Sequence, residues 1–167
     1  MIVSPGKVWT RSGGQVGDVI VVSGELGGSI LGHHIDFVPR IREAQAIARV
    51  VDVHAAMDVS DGLLMDLSRL TSESGCGAEI DLGKVPISKA AWALAESSKR
   101  SARDHATSDG EDFELLLCVS ERDATLLCER PPIDLKFTRI GELVEQSGLR
   151  EAAVSYTHLT LPTICSV

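Results

Sequence analysis

Residues 56–67 read AMDVSDGLLMDL, which sets three carboxylates, a serine and a glycine inside an otherwise apolar dozen. Ahead of the acidic turn, AAMDVS (55–60) has the length and composition of a strand. Behind it, Leu63, Leu64, Leu67 and Leu70 recur at helical spacing, so a helix is expected to start at Asp61, a natural N-cap residue. Residues two apart on a strand share a face, which would point Asp58 and Ser60 the same way, with Asp61 beside them at the helix start. Such hard oxygen donors suit Mg²⁺, a cation held by a few carboxylates together with substrate phosphates. Gly62 removes a side chain beside them, and the N–H groups of a helix start favour phosphate. The structural alternative is that an Asp or Ser at a helix cap is routine and that Asp66 simply faces solvent.

Working outward, DVIVVSG (18–24) is a compact β-branched run of buried-strand length, and Gly24, Gly27 and Gly28 then turn the chain. In RIREAQAIARV (40–50), Ile41, Ala44, Ile47 and Ala48 share a helical face. The helix begun near Asp61 ends at Gly75, the residue type favoured just past a helix. GAEIDL (77–82) and ELLLCVS (114–120) read as strands, and KFTRIGELV (136–144) as a final strand pair or one bent strand. ISKAAWALAESS after Pro86 and the shorter DATLLCE read as helices, and the polar run KRSARDH (99–105) reads as a loop. Strands alternating with helices predict α/β layers.

The chain has 167 residues, 44% of them hydrophobic and 24% charged, which fits one domain burying roughly two-thirds of its unfolded surface. Sixteen basic residues against 24 acidic ones give a net charge of −8, opposing non-specific binding to nucleic acid or anionic lipid. No leader and no run of 18 apolar residues is visible, so neither export nor membrane insertion is expected. Cys76, Cys118, Cys128 and Cys165 have no C-x-x-C spacing and read as free thiols of a cytoplasmic protein.

Other candidate sites carry less signal. Ser108-Asp109-Gly110 echoes Ser60-Asp61-Gly62, although such triplets recur by chance because all three residues suit turns. The stretch Thr107 to Glu114, with carboxylates at Asp109, Glu111, Asp112 and Glu114, feeds an apolar strand, where α/β proteins place ligand contacts, and a solvated loop is its ordinary explanation. The loop Gly24 to Ser29 lacks the lysine of a phosphate-cradling P-loop. His33, His34 and Asp36 have no partner at metal-ligand spacing. No Ser-His-Asp order or nucleophile elbow is present.

Taken in order, GDVIVVSGELGGSILGHH, AAMDVSDGLLMDL, GAEIDLGKVPIS and SDGEDFELLL resemble the C-terminal half of the thiamine-monophosphate kinase family, from about Ser4 to Gly148. The most specific element is D-x-S-D-G-L at Asp58 to Leu63, followed by Asp66-Leu67. Sister families of the same fold usually carry threonine-glycine versions of this turn: aminoimidazole ribonucleotide (AIR) synthetase, selenophosphate synthetase and the hydrogenase-maturation dehydratase. They form the alternative reading, beside a non-catalytic binding module.

The resemblance implies a mixed sheet covered by helices, as in the AIR synthase-related C-terminal domain. It also implies Mg²⁺-dependent transfer of phosphate from ATP to thiamine monophosphate. By that carry-over Asp58 and Asp61 are metal ligands, Ser60 contacts ATP and Glu111 contacts the substrate. Asp109 and Phe113 stand where the family has glycine and tyrosine.

The implied layout is a junction to an N-terminal domain over residues 1–14 and the C-terminal domain over 15–150. The tail 154–167 lacks Asp, Glu, Lys and Arg, holds the single tyrosine, and reads as a translated sequencing adapter. The family homodimer would form through the N-terminal domain, and the 167 residues alone would not turn over substrate.

Overall fold

The computed structural model describes Val3–Ser4 and residues 7–152; the adapter-like tail lies outside the described residues. Two short strands, β1 (Val3–Ser4) and β2 (Lys7–Val8), form an antiparallel pair. The body follows as β3 (Val19–Ser23), a 3₁₀ turn (Ser29–Leu31), α1 (His33–Asp36), α2 (Ile41–Ile47), β4 (Val53–Asp58) and α3 (Leu63–Ser74). Next come β5 (Gly77–Ile80), α4 (Lys89–Ser97), α5 (Ala102–Ser108), β6 (Leu115–Val119), α6 (Glu121–Glu129), β7 (Phe137–Val144) and β8 (Gly148–Glu151).

Six strands make one mixed sheet in the order β4-β6-β3-β7-β5-β8, antiparallel throughout except for the β5–β8 pair. Both faces are covered, which explains why VIVVS and LLLCV read as apolar runs instead of alternating. Ile20, Val22, Leu116 and Cys118 point toward Leu63, Leu67 and Leu70 of α3 and Ala106 of α5. Val19, Val21, Leu115, Leu117 and Val119 point the other way, toward Ala44 and Ile47 of α2 and Ala124 and Leu127 of α6. Among the described residues no helix is long and apolar enough to cross a membrane.

Several expectations are corrected. The acidic strand ends at Asp58, two residues early, so Ser60 lies in a bend and shares no strand face with Asp58. Asp61 is not the cap of α3; Gly62 holds that position without a side-chain bond. Asp66 does not face solvent and is fully buried. The predicted loop 99–105 contains the start of α5, because Ser101 and Asp104 form a reciprocal capping box that overrides the local polarity. Strand β8 was not anticipated; it adds parallel to β5 at the sheet edge, where its mostly exposed GLRE shows no apolar alternation. Ile41, placed on the buried face of its helix, is 54% exposed.

Gly27 marks where the turn after β3 meets α5. Its φ is 88°, and a Cβ there would lie 2.6 Å from the backbone nitrogen of Ala106. Left-handed backbone and a clash against a helix main chain add together, so Gly27→Ala is expected to cost about 3 kcal/mol of stability by denaturant titration. A loss below about 1 kcal/mol would mean that α5 can shift to make room.

Candidate functional site

Beyond the last paired residues of β4 and β6, Asp58 and Leu115, the two chains stay side by side. Val59 N–H donates to Glu114 O, Phe113 N–H to Val59 O, and Glu111 N–H to Ser60 O, each at 2.8 Å. The two Ser-Asp-Gly triplets therefore face one another across this extension. A Cβ on Gly62 would fall 2.8 Å from Ser108 O, and one on Gly110 2.5 Å from Ser60 O, so both positions demand glycine. The sequence echo is a packed pair of turns.

Asp66 holds the first turn. Its Oδ2 accepts from the N–H groups of Ser60 and Asp61 at 2.8 Å each, and its Oδ1 from Arg69 Nη1 at 3.0 Å. Because the carboxylate sits in the first turn of α3, the helix dipole favours its charge. With Asp66 doing the capping, the side chains of Asp58 and Asp61 stay exposed.

The two line different depressions. Asp58 lines a cavity of about 530 Å³ with Trp9, Phe37, Arg40, Met57 and Phe113. Asp61 lines a separate depression of about 450 Å³ with Met65, Ser68, Arg69 and Ser108, and pairs with Arg69. Among the described residues no three His, Cys, Asp or Glu side chains form a group that could hold a metal ion. The exposed Asp58 carboxylate takes no hydrogen bond from a described residue, which leaves its oxygens open to solvent. Glu111 is also exposed, and its backbone is tied to Ser60. Of the histidines, His33 Nε2 meets Asp112 O at 3.2 Å and His34 Nδ1 meets Ser29 O at 2.8 Å.

Sequence reasoning missed Arg40 and its pairing with Glu114. Arg40 Nε contacts Glu114 Oε2 at 3.0 Å and its Nη2 contacts Oε1, a two-pronged pair joining the start of α2 to the start of β6. Ser23 Oγ also donates to Glu114, and Leu115 N–H donates to Ser23. The hydrogen bonds that Arg40 donates to Glu114 raise its pKa above the ordinary value, so a permanent cation faces the cavity beside Asp58. The two are 74 positions apart, so no local motif announces their pairing. Phe113 stacks on Phe37 with ring centroids 4.0 Å apart, an apolar wall that tyrosine or phenylalanine can supply.

The loop itself is strained: Glu111 has φ 64° and Phe113 φ 53°, left-handed values that non-glycine residues adopt where the surroundings compel them. Between them Asp112 is 4% exposed and accepts from Gly27 N–H with both oxygens at 2.9 Å. Burial pushes this carboxyl up from 3.8 to about 7, against the pull of the Gly27 N–H and with reinforcement from Asp109 and Glu114. Folding thus favours the protonated form. The stability Asp112 confers is full below pH 3.8 and is lost progressively as pH rises to about 7. Relative to Asp112→Asn, the unsubstituted chain should lose roughly 3–4 kcal/mol across that window. Parallel denaturation curves for the two at every pH would show that Asp112 titrates normally.

Comparisons with known proteins bear on the fold and the family. The family model described as AIR synthase related protein, C-terminal domain, matches residues 28–153. The chain is 45% identical over 141 residues to the thiamine-monophosphate kinase of Rhodopirellula baltica, covering 84% of this chain and 44% of that protein. Among solved structures, the thiamine-monophosphate kinase of Stenotrophomonas maltophilia K279a superposes with TM-score 0.71 at 32% identity, covering 89% of this chain and 54% of that one. AaThiL complexed with AMPPCP and TMP gives TM-score 0.73 at 27% identity, with 86% and 50% covered. The chain spans about half the length of the relatives it matches. With the mixed sheet, the packed Ser-Asp-Gly turns and the match over residues 28–153, the chain belongs to the AIR synthase related family through that family's C-terminal domain.

Proposed function

We propose that this chain forms the C-terminal half of a kinase that transfers the terminal phosphoryl group of ATP to thiamine monophosphate, giving thiamine diphosphate and ADP. The observation that carries the reading is the open Asp58 carboxylate on the cavity wall, one turn from the start of α3. A structural carboxylate at such a turn would be consumed in capping, and here that task falls to Asp66. This weighs against a plain docking module.

Asp58 and Asp61 would hold Mg²⁺, which supplies charge neutralisation for the phosphates when bound. Asp61 reaches a cation only when the Arg69 guanidinium turns away from it toward Asp66, and both partners are exposed enough to move. Ser60, fixed by Asp66 and Glu111, contacts the nucleotide, and the first-turn N–H groups of α3 face the phosphates. Glu111 contacts the phosphate acceptor. Positioning and charge compensation account for such a transfer without a covalent nucleophile.

The whole protein acts as a homodimer through a domain N-terminal to this one. It works in the cytoplasm, where Cys76, Cys118 and Cys128 remain free thiols. The test is an assay of the protein extended to the length of its relatives, with Mg²⁺, ATP and thiamine monophosphate. Thiamine diphosphate and ADP should appear in equal amounts, with none from the 167 residues alone. A folded whole protein without this activity would move the assignment to one of the sister ATP-using families.

A further inference from the structure

His105 in α5 is 3% exposed and bonded at both ring nitrogens. Its Nδ1 lies 2.7 Å from Asp109 Oδ2 and its Nε2 2.8 Å from Ser98 Oγ. In the neutral ring, Nδ1–H donates to the carboxylate and Nε2 accepts from the serine hydroxyl. The other Asp109 oxygen accepts from Arg100 Nη1 at 2.7 Å, and Arg100 Nη2 donates to Asp104 O at 2.9 Å.

The connectivity is that of a Ser-His-Asp relay, but the setting is wrong for acyl transfer. Ser98 is the C-cap of α4, where helix carbonyls and the negative end of the dipole converge and would repel a developing oxyanion. What the network can do is hold Asp109. That residue leads directly into Gly110 to Phe113, the segment with two left-handed non-glycine residues packed on the Ser60–Gly62 turn, which Ser29 Oγ also holds by donating to Gly110 O at 2.6 Å.

We propose that Ser98, Arg100 and His105 are positioning residues: by clamping Asp109 they fix the Gly110–Phe113 loop and so present Glu111 to the phosphate acceptor. The proposal rests on the reading of Glu111 given above. It also accounts for an aspartate where the resemblance leads one to expect glycine. Both Asp109 oxygens are taken up by α5 and the α4–α5 connection, so the added charge is turned back into the fold. A glycine at this position would leave His105 and Arg100 without their shared acceptor.

Amide hydrogen exchange on the 167-residue chain tests the clamp, read at Glu111 and Phe113, whose N–H groups bond to the opposite turn. Asp109→Ala should speed exchange at both by about 10-fold or more, while Ile20 and Leu117 in the sheet stay unchanged. Asp109→Asn keeps an acceptor for His105 and should fall between. Arg100→Ala removes one arm from a side chain 45% exposed, so it serves if Asp109→Ala does not fold.

In the whole protein, Asp109→Ala should raise KM for thiamine monophosphate about 10-fold with kcat and the KM for ATP nearly unchanged. Unchanged exchange in the folded variants overturns the proposal, and so does a loosened loop with an unchanged acceptor KM. No turnover by the unsubstituted protein would overturn the kinase reading instead, and the exchange comparison would still decide the clamp.

Discussion

Asp66→Ala is expected to lower the unfolding free energy by about 3 kcal/mol, as much as any single substitution near the site. The carboxylate is fully buried and satisfies two backbone N–H groups and one guanidinium at once. Removing it leaves Ser60 N and Asp61 N without the acceptor they share and opens a space at a fully buried position. Asp66→Asn keeps one acceptor oxygen in the same shape and should lose roughly half as much. Denaturant titration of the three proteins measures the series, and exchange at the Ser60 and Asp61 amides reports whether the turn loosens with it. Near-equal stability of Asp66→Ala and the unsubstituted chain would mean that the turn holds itself, with Asp66 a passenger.

This residue also shows where the sequence was legible and where it was not. A β-branched apolar run marked β3, and short apolar runs marked β4 and β6, because a strand covered on both faces needs little else. Leu63, Leu67 and Leu70 marked α3 and Gly75 its end, since helical spacing and a left-handed glycine are local signals. The acidic turn was found but its internal division of labour was not. Which of three aspartates is buried depends on where the strand stops, and Asp58 ends it where the pattern ran on to Ser60.

The capping box at Ser101 and Asp104 was written in the sequence and was outweighed by the polarity around it. Arg40 and Glu114, 74 positions apart, are joined only by the fold, as are the two Ser-Asp-Gly turns. Spacing alone could not distinguish that echo from chance. The resemblance supplied the roles of Asp58, Ser60, Asp61 and Glu111, and the structure adds the separation of Asp58 from Asp61 by two cavities.

That separation makes Asp58→Asn the sharper test of the metal assignment. In the whole protein the substitution should reduce kcat about 10²- to 10³-fold, the order seen when one preorganised electrostatic partner of a transition state is removed. Stability should move by less than about 0.5 kcal/mol, because the Asp58 side chain is exposed and supports no described neighbour. The pairing of a large kinetic effect with no structural one is what a ligand carboxylate predicts. Asp61→Asn is a less clean comparison, because it also frees Arg69 to move toward Asp66. Raising Mg²⁺ should recover part of the lost rate in Asp58→Asn if the carboxylate acts by holding the cation, and none if it acts by touching the substrate directly. A folded Asp58→Asn protein with unreduced turnover would remove Asp58 from the machinery and leave the cavity beside it, with Arg40 and the Phe37–Phe113 stack, as the part of the site still to be assigned a ligand.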